Sequence, residues 1–193
     1  MHRVFVTPGF VLSKRGVGES NTSVSLLTRE LGLVRASARS ARKEISKLRF
    51  GLEPLSTGRY SLVRGRLEWK LIGVEQVSRA SIAATAKLRG QEGRISKLVL
   101  RLMPGEEPVP EFYDTVVGGL YSLSQIEKSE DAEAAECVLV LRIVEQLGYV
   151  SVSSELAPFL EGDLSEPTLT HQAKALRPLL IRTINESLQA TGL

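Results

Sequence analysis

One cysteine, Cys137, and two widely separated histidines, His2 and His171, are all that 193 residues offer toward disulfide or zinc chemistry. A lone thiol cannot close an internal disulfide, and this set supplies no structural zinc constellation. A reducing compartment is therefore expected, with no metal and no cofactor. Long hydrophobic runs are missing too. The segment CVLVLRIV is interrupted by charge and falls far short of the roughly 20 residues a membrane span needs, and no basic-then-apolar leader opens the sequence. We expect a soluble, cytoplasmic protein. Catalytic motifs are also lacking: there is no G-x-x-x-x-G-K-[ST], no H-x-E or H-E-x-x-H, and no G-x-S-x-G. DAEAAE superficially pairs carboxylates, but its spacing suits the charged first turn of a helix. An enzyme is not expected.

What is present is apolar content enough for a core, 42 %, and an uneven distribution of charge. Residues 1–70 hold 14 Lys and Arg against 5 Asp and Glu, net +9, whereas residues 71–193 hold 11 against 17, net −6. A basic surface collects polyanions at a distance and an acidic one does not, so the two halves predict different partners.

Pattern divides the chain at the same place. From Arg3 to about Val74, short stretches rich in Val, Leu, Phe, Tyr and Thr are broken by Gly, Pro, Ser and Asn: RVFV, TPGFVL, SVSLLT, LGLVRASA, YSLVRG and RLEWKLI. About five strands in some 70 residues predict a small closed barrel. YSLVRGRLEWKL reads as a hairpin whose tip, Arg64-Gly65-Arg66, places Gly where a positive φ is cheap. Beyond Val74 the apolar residues recur three and four apart in QVSRASIAATAKL, ISKLVLRLM, FYDTVVGGLYSLSQI, DAEAAECVLVLRIVEQL and HQAKALRPLLIRTINESLQ, which predicts helices. Asp131, Glu133 and Glu136 load the start of the fourth, and Gly148 is its expected stop. Pro178 requires the last helix to begin or kink near it.

The densest positive charge is RASARSARKEISKLR, residues 35–49, with six basic side chains and one acidic one. As a helix it would put Arg35, Arg39, Arg42 and Lys43 on one face with no apolar stripe behind them. As a strand over 31–38, Val34, Ala36 and Ala38 share one side and Leu33, Arg35 and Ser37 the other, with a basic connection from Arg39 to Arg49 on the barrel rim. Lys and Arg so placed neutralise phosphates whatever the base sequence. Arg35, Arg39, Arg42, Lys43, Lys47 and Arg49 are accordingly candidate DNA contacts, joined by Lys14, Arg15, Arg64 and Arg66 at strand ends and the hairpin tip. The competing reading is a solvated, solubilising surface. Among the aromatics, Trp69 alternates with Leu67 and Leu71 and is assigned to the core, as a small barrel's aromatics generally are. Phe50 is the candidate for stacking on a base. Cys137 is expected to be a small buried hydrophobe.

These residues resemble the RecO family of bacterial DNA repair and recombination mediators. The resemblance is carried by an apolar strand ending in Val11-Leu12, Gly18 to Ser20, LLTRELG at Leu26 to Gly32, Ala38-Arg39, Ser46 to Arg49 before the Leu52 to Pro54 turn, RGRLEWKL at Arg64 to Leu71, and LVLRIVEQLGY at Leu139 to Tyr149. It implies an α+β two-domain chain: an N-terminal OB-fold barrel, residues 1–76, basic and DNA-binding, followed by an acidic all-α helical domain, residues 77–193. It also implies binding of single- and double-stranded DNA, annealing of complementary strands, and action with RecR, and in some lineages RecF, to load RecA onto strands coated by single-stranded-DNA-binding protein.

The chain departs from the family pattern in two places. The four-Cys zinc element expected after Gly148-Tyr149 is absent, since no Cys occurs there. Cys137 and Val138 stand where basic residues of the helix before Gly-Tyr receive the acidic tail of single-stranded-DNA-binding protein, with Arg142 one turn on. Two alternatives remain open: a barrel that binds a protein instead of DNA, and a hydrolase or nuclease with an unrecognised site.

Overall fold

The computed structural model describes residues 3–43, 46, 48–78, 86–103, 105–151 and 153–190. Five strands, β1 (Val4–Val17), β2 (Asn21–Thr28), β3 (Gly32–Ala38), β4 (Thr57–Arg64) and β5 (Trp69–Ser78), close into a barrel in the order β1-β2-β3-β5-β4. All pairings are antiparallel except β3 with β5. This is the five-stranded OB-like barrel expected of the basic half. RVFV and TPGFVL are not separate strands. They join in β1, which pairs with β4 through Val4–Phe10 and with β2 through Gly9–Val17, shifting register between Val11 and Ser13. One strand thereby belongs to both sides of the closed sheet. Pro8 does not break it: its carbonyl takes the Arg29 N–H, so its missing N–H also faces the β2 side, where strand pairing begins only at Gly9.

Alternation builds the core. Val24 and Leu26 of β2, Val34, Ala36 and Ala38 of β3, and Tyr60 and Leu62 of β4 are all buried with Val11 and Trp69. Burial of β3 follows the expected split, except that Leu33, on the outer side, is also buried. The segment after the first helix covers it: the Leu33 N–H donates to the Gly105 carbonyl at 2.9 Å. Gly32 makes that approach possible. Its φ is +69°, and a Cβ there would lie 2.3 Å from the Glu107 carbonyl oxygen. The β4–β5 hairpin corrects two expectations. Gly65 is not needed for a positive φ but for close backbone approach, because a Cβ would lie 2.5 Å from the Glu68 carbonyl oxygen. Leu67 does not alternate into the core with Trp69; it sits at the tip, 95 % exposed.

The helices are α1 (Ala86–Leu102), α2 (Pro110–Gln125), α3 (Ser129–Gln146), α4 (Pro167–Ala175) and α5 (Arg177–Ala190). The first predicted helix begins too early in the sequence: Gln76, Val77 and Ser78 belong to β5, residues 79–85 lie outside the described set, and α1 absorbs the second predicted helix. The last predicted helix is two, α4 and α5, with Pro178 in the first turn of α5, where its missing N–H costs nothing. The chain divides into two compact units, residues 1–83 with 96–113 and residues 84–95 with 114–193.

Within the second unit α3 is the central element. Ala134, Ala135, Val138, Leu139, Leu141, Ile143 and Val144 are all buried, so nearly every side of the helix is covered. Its acidic first half meets basic residues of its neighbours: Asp131 pairs with Lys174 of α4, Glu133 with Arg177 of α5 at 3.5 Å, and Glu136 with Arg94 of α1 at 2.7 Å. Glu136 therefore serves a helix contact, not the first turn, which holds Glu130 and Asp131. The helix ends as expected at Gly148, with the Gly148 N–H on the Glu145 carbonyl (2.8 Å) and the Tyr149 N–H on the Val144 carbonyl (2.9 Å). Among the described residues no helix is long and apolar enough to cross a membrane.

Candidate nucleic-acid interface

The period-2 alternation that buries Val24, Leu26, Ala36 and Ala38 turns the intervening residues outward. Directly opposed residues on neighbouring strands share a face. Across β1, β2, β3 and β5, Arg15 opposes Ser23, Ser23 opposes Ser37, and Ser37 opposes Lys70. In the next row Ser13 opposes Ser25 and Ser25 opposes Arg35. The outer face is thus a floor of four serines edged by Arg15, Arg35 and Lys70, all three exposed. Short hydroxyl side chains let a strand approach the backbone while the long cations close on its phosphates.

At one end of this face the hairpin adds charge. Arg64 closes β4 opposite Trp69, its guanidinium 5.0 Å above the indole centroid, and is ion-paired with Glu106. Arg66 is exposed in the tip. With Ser23 and Arg35 these residues line a recess of about 250 Å³. Trp69 is 5 % exposed, as its assignment to the core requires, and packs edge-on against Phe5 with ring centroids 5.3 Å apart. Its buried Nε1–H has no acceptor among the described residues.

The basic connection takes a different form. Residues 39–43 and 48–49 are turns, stitched to the β1–β2 turn: the Arg42 Nη1 donates to the Gly18 carbonyl at 2.9 Å, the Arg42 N–H to the Ser20 carbonyl at 3.1 Å, and the Ser40 N–H to Asn21 Oδ1 at 3.0 Å. Arg42 is therefore a strut as well as a cation. Lys14 spends its charge on Glu53 at 2.6 Å. Lys14, Arg42 and Arg49 line a second recess, of about 360 Å³, with Thr22 and Glu53. Arg39 and Lys43 are exposed on the connection but line neither recess. Lys47 lies outside the described residues.

Phe50 opens a 3₁₀ turn, Phe50–Leu52, in which Leu52 enters the core and Gly51 accepts the Tyr60 Oη hydrogen bond at 2.8 Å. With those neighbours turned inward, Phe50 is left 77 % exposed. Tyr60 is fully buried, which removes it from any stacking surface; burial also pushes its phenol well above its ordinary pKa.

The ten candidate cations thus separate. Arg35, Arg64 and Arg66 converge on one recess and Lys14, Arg42 and Arg49 on another, while Arg15 belongs to the serine face. The residues missed by sequence reasoning are Ser13, Ser23, Ser25, Ser37 and Lys70. The signal for Ser23, Ser25 and Ser37 was the alternation of serine with buried residues in SVSLL and RASA.

In the second unit Arg142 is held by three main-chain carbonyls: Nε on Phe159 at 2.7 Å, Nη1 on Gly162 at 2.9 Å, and Nη2 on Glu161. Desolvation lowers its pKa, opposed by Asp163 and Glu161. It pins the loop after Gly148-Tyr149. Cys137 is half-buried, less enclosed than expected; burial raises its thiol pKa, and Arg177 opposes that. No metal-holding cluster of His, Cys, Asp or Glu occurs among the described residues.

Residues 1–81 match the family model described as Recombination protein O N terminal. The chain is 29 % identical over 154 residues to DNA repair protein RecO of Heliobacterium modesticaldum, covering 76 % of this chain and 52 % of that protein. It is 27 % identical over 146 residues to the protein of the same name from Dehalococcoides mccartyi, covering 75 % and 56 %. Over 131 residues it is 39 % identical to that of Anaeromyxobacter dehalogenans, covering 64 % and 49 %. The chain spans about half the length of the curated relatives it matches.

Proposed function

Because the chain belongs to the RecO family, we propose that it is a DNA-binding recombination mediator, acting by binding and not by catalysis. In this reading residues 1–76 hold single- and double-stranded DNA through phosphates, and residues 77–193 meet protein partners. The observation that carries it is the serine floor edged by Arg15, Arg35 and Lys70, continuous with the recess holding Arg64 and Arg66. Annealing two polyanions needs a cation surface that screens their repulsion without reading bases, and side chains that donate to phosphate supply it. Exposed Phe50 is a platform on which a base can stack.

The partners proposed with it are RecR, RecA loaded onto strands coated by single-stranded-DNA-binding protein, and RecF. Direct capture of that coating protein's acidic tail by α3 is the weakest of these, since Arg142 is committed to three carbonyls. The proposed compartment is the cytoplasm, at the nucleoid.

The test is strand annealing with two complementary labelled oligonucleotides at low and high salt. Salt-sensitive acceleration without cleavage is the expected result. No acceleration by a folded sample would overturn the proposal, and metal-dependent cleavage would point to a nuclease. A second reading, a barrel that docks a protein, is favoured by the exposed Val4, Val6 and Ile72. It predicts a response insensitive to salt.

A further inference from the structure

Three guanidinium groups reach one recess from separate parts of the barrel: Arg35 from β3, Arg64 from the end of β4, and Arg66 from the hairpin tip. Like charges gathered in this way need anions. Two carboxylates line the recess, Glu68 from the hairpin itself and Glu106 from the segment between α1 and α2. Glu106 pairs with Arg64, and both side chains are exposed to solvent. The segment that delivers it is fixed to the barrel, because the Leu33 N–H holds the Gly105 carbonyl and the absent Cβ of Gly32 admits the Glu107 backbone. Glu106 is therefore presented at one place, and only its carboxylate is free to leave. Trp69 lines the same recess, and its buried Nε1–H has no acceptor among the described residues.

We propose that this recess is a subsite for one backbone phosphate of a DNA strand, and that Glu106 occupies it in the strand's absence as a built-in competitor. A phosphodiester carries the same single negative charge as the carboxylate and offers two free oxygens to the arginines, so the exchange preserves the charge balance. Arg64 passes from one anion to the other while stacked on Trp69. Glu106 thus sets how tightly the barrel holds DNA, keeping affinity below what the cations alone would give and easing release of the strand. This inference rests on the DNA-binding reading above.

Trp69 is the chain's sole tryptophan, so its fluorescence reports the recess alone. The full chain is titrated with an oligothymidylate across a salt series, as wild type, E106Q, R35A/R66A and the triple combination. The strand is expected to change Trp69 emission. E106Q should tighten binding about two- to fivefold, the range set by one exposed ion pair. In the R35A/R66A background the E106Q gain should shrink or vanish, because the two changes act at one site. Adding a 5′-phosphate to the oligonucleotide should leave affinity unchanged; a preference for it would overturn the assignment to a backbone phosphate. Binding with silent Trp69 emission and no E106Q effect would overturn the subsite and leave the DNA reading standing. No binding by wild type or E106Q would overturn both.

Discussion

Tyr60 shows how one side chain ties the barrel to the basic connection. Its ring lies in the core, and its hydroxyl donates to the Gly51 carbonyl in the turn that exposes Phe50. Replacing it with Phe keeps the ring and leaves that carbonyl unpaired, which should cost about 1–2 kcal/mol in denaturant unfolding at neutral pH. The pH dependence has a definite sign. Burial raises the folded-state pKa of Tyr60 above that of the unfolded chain, so its contribution is complete below the ordinary phenol value and is lost as pH rises above it, beginning near about pH 10. The stability gap between wild type and Y60F should therefore narrow from pH 8 to pH 10.5. A constant gap across that range would remove Tyr60 as the source of alkaline sensitivity.

At the scale of the elements, two adjacent glycines in α2 face different surroundings. Gly118 is exposed, and a Cβ there would meet nothing within 4 Å, whereas a Cβ on Gly119 would lie 2.4 Å from Cδ1 of Leu139 on α3. The close approach of α2 to α3 depends on the second glycine only. Gly118→Ala should stabilise the protein by about 0.5–1 kcal/mol through helix propensity, and Gly119→Ala should destabilise it by about 1–3 kcal/mol by forcing Leu139 aside in a packed core. Thermal or denaturant unfolding of the two variants should move in opposite directions. Helix periodicity marks both positions as interior to α2, and nothing local distinguishes them.

For the whole molecule the proposed DNA binding raises the question of which basic surface would carry the strand. The rim connection, with Arg39, Lys43 and Arg49, holds the higher charge density in sequence, but its Arg42 is a strut and nearby Lys14 is paired with Glu53. The serine face holds fewer cations, yet Arg15, Arg35 and Lys70 form no ion pair among the described residues and stand in cross-strand order. With about five phosphates contacted on a single strand, the log affinity should fall with log salt at a slope of about −3.5. R15A/R35A/K70A should flatten that slope by about 2, the share of three contacts. R39A/K43A/R49A should flatten it less; the reverse order would assign the strand to the rim.

Much of this was legible locally. Period-2 alternation in SVSLLT and VRASA reported both the strands and their buried side, because a strand's two faces are set residue by residue. Spacing of three and four did the same for α2 and α3, Gly148 and Pro178 marked helix ends through backbone geometry, and the net +9 of residues 1–70 pointed to polyanions. Order among the strands lay beyond local reading. That Arg15, Ser23, Ser37 and Lys70 form one row depends on pairings between residues far apart in the chain, including the parallel contact of β3 with β5. The same holds for charges that are spent: Glu53 lies 39 residues from Lys14, and Glu106 lies 42 from Arg64. The sequence by itself determined the barrel, the helical character of the second half and the excess of positive charge in residues 1–70, all properties of short windows. Only the tertiary structure decided which cations converge, which are neutralised and which carboxylate stands in the recess, because long-range closure of the sheet and docking of the segment after α1 bring those groups together.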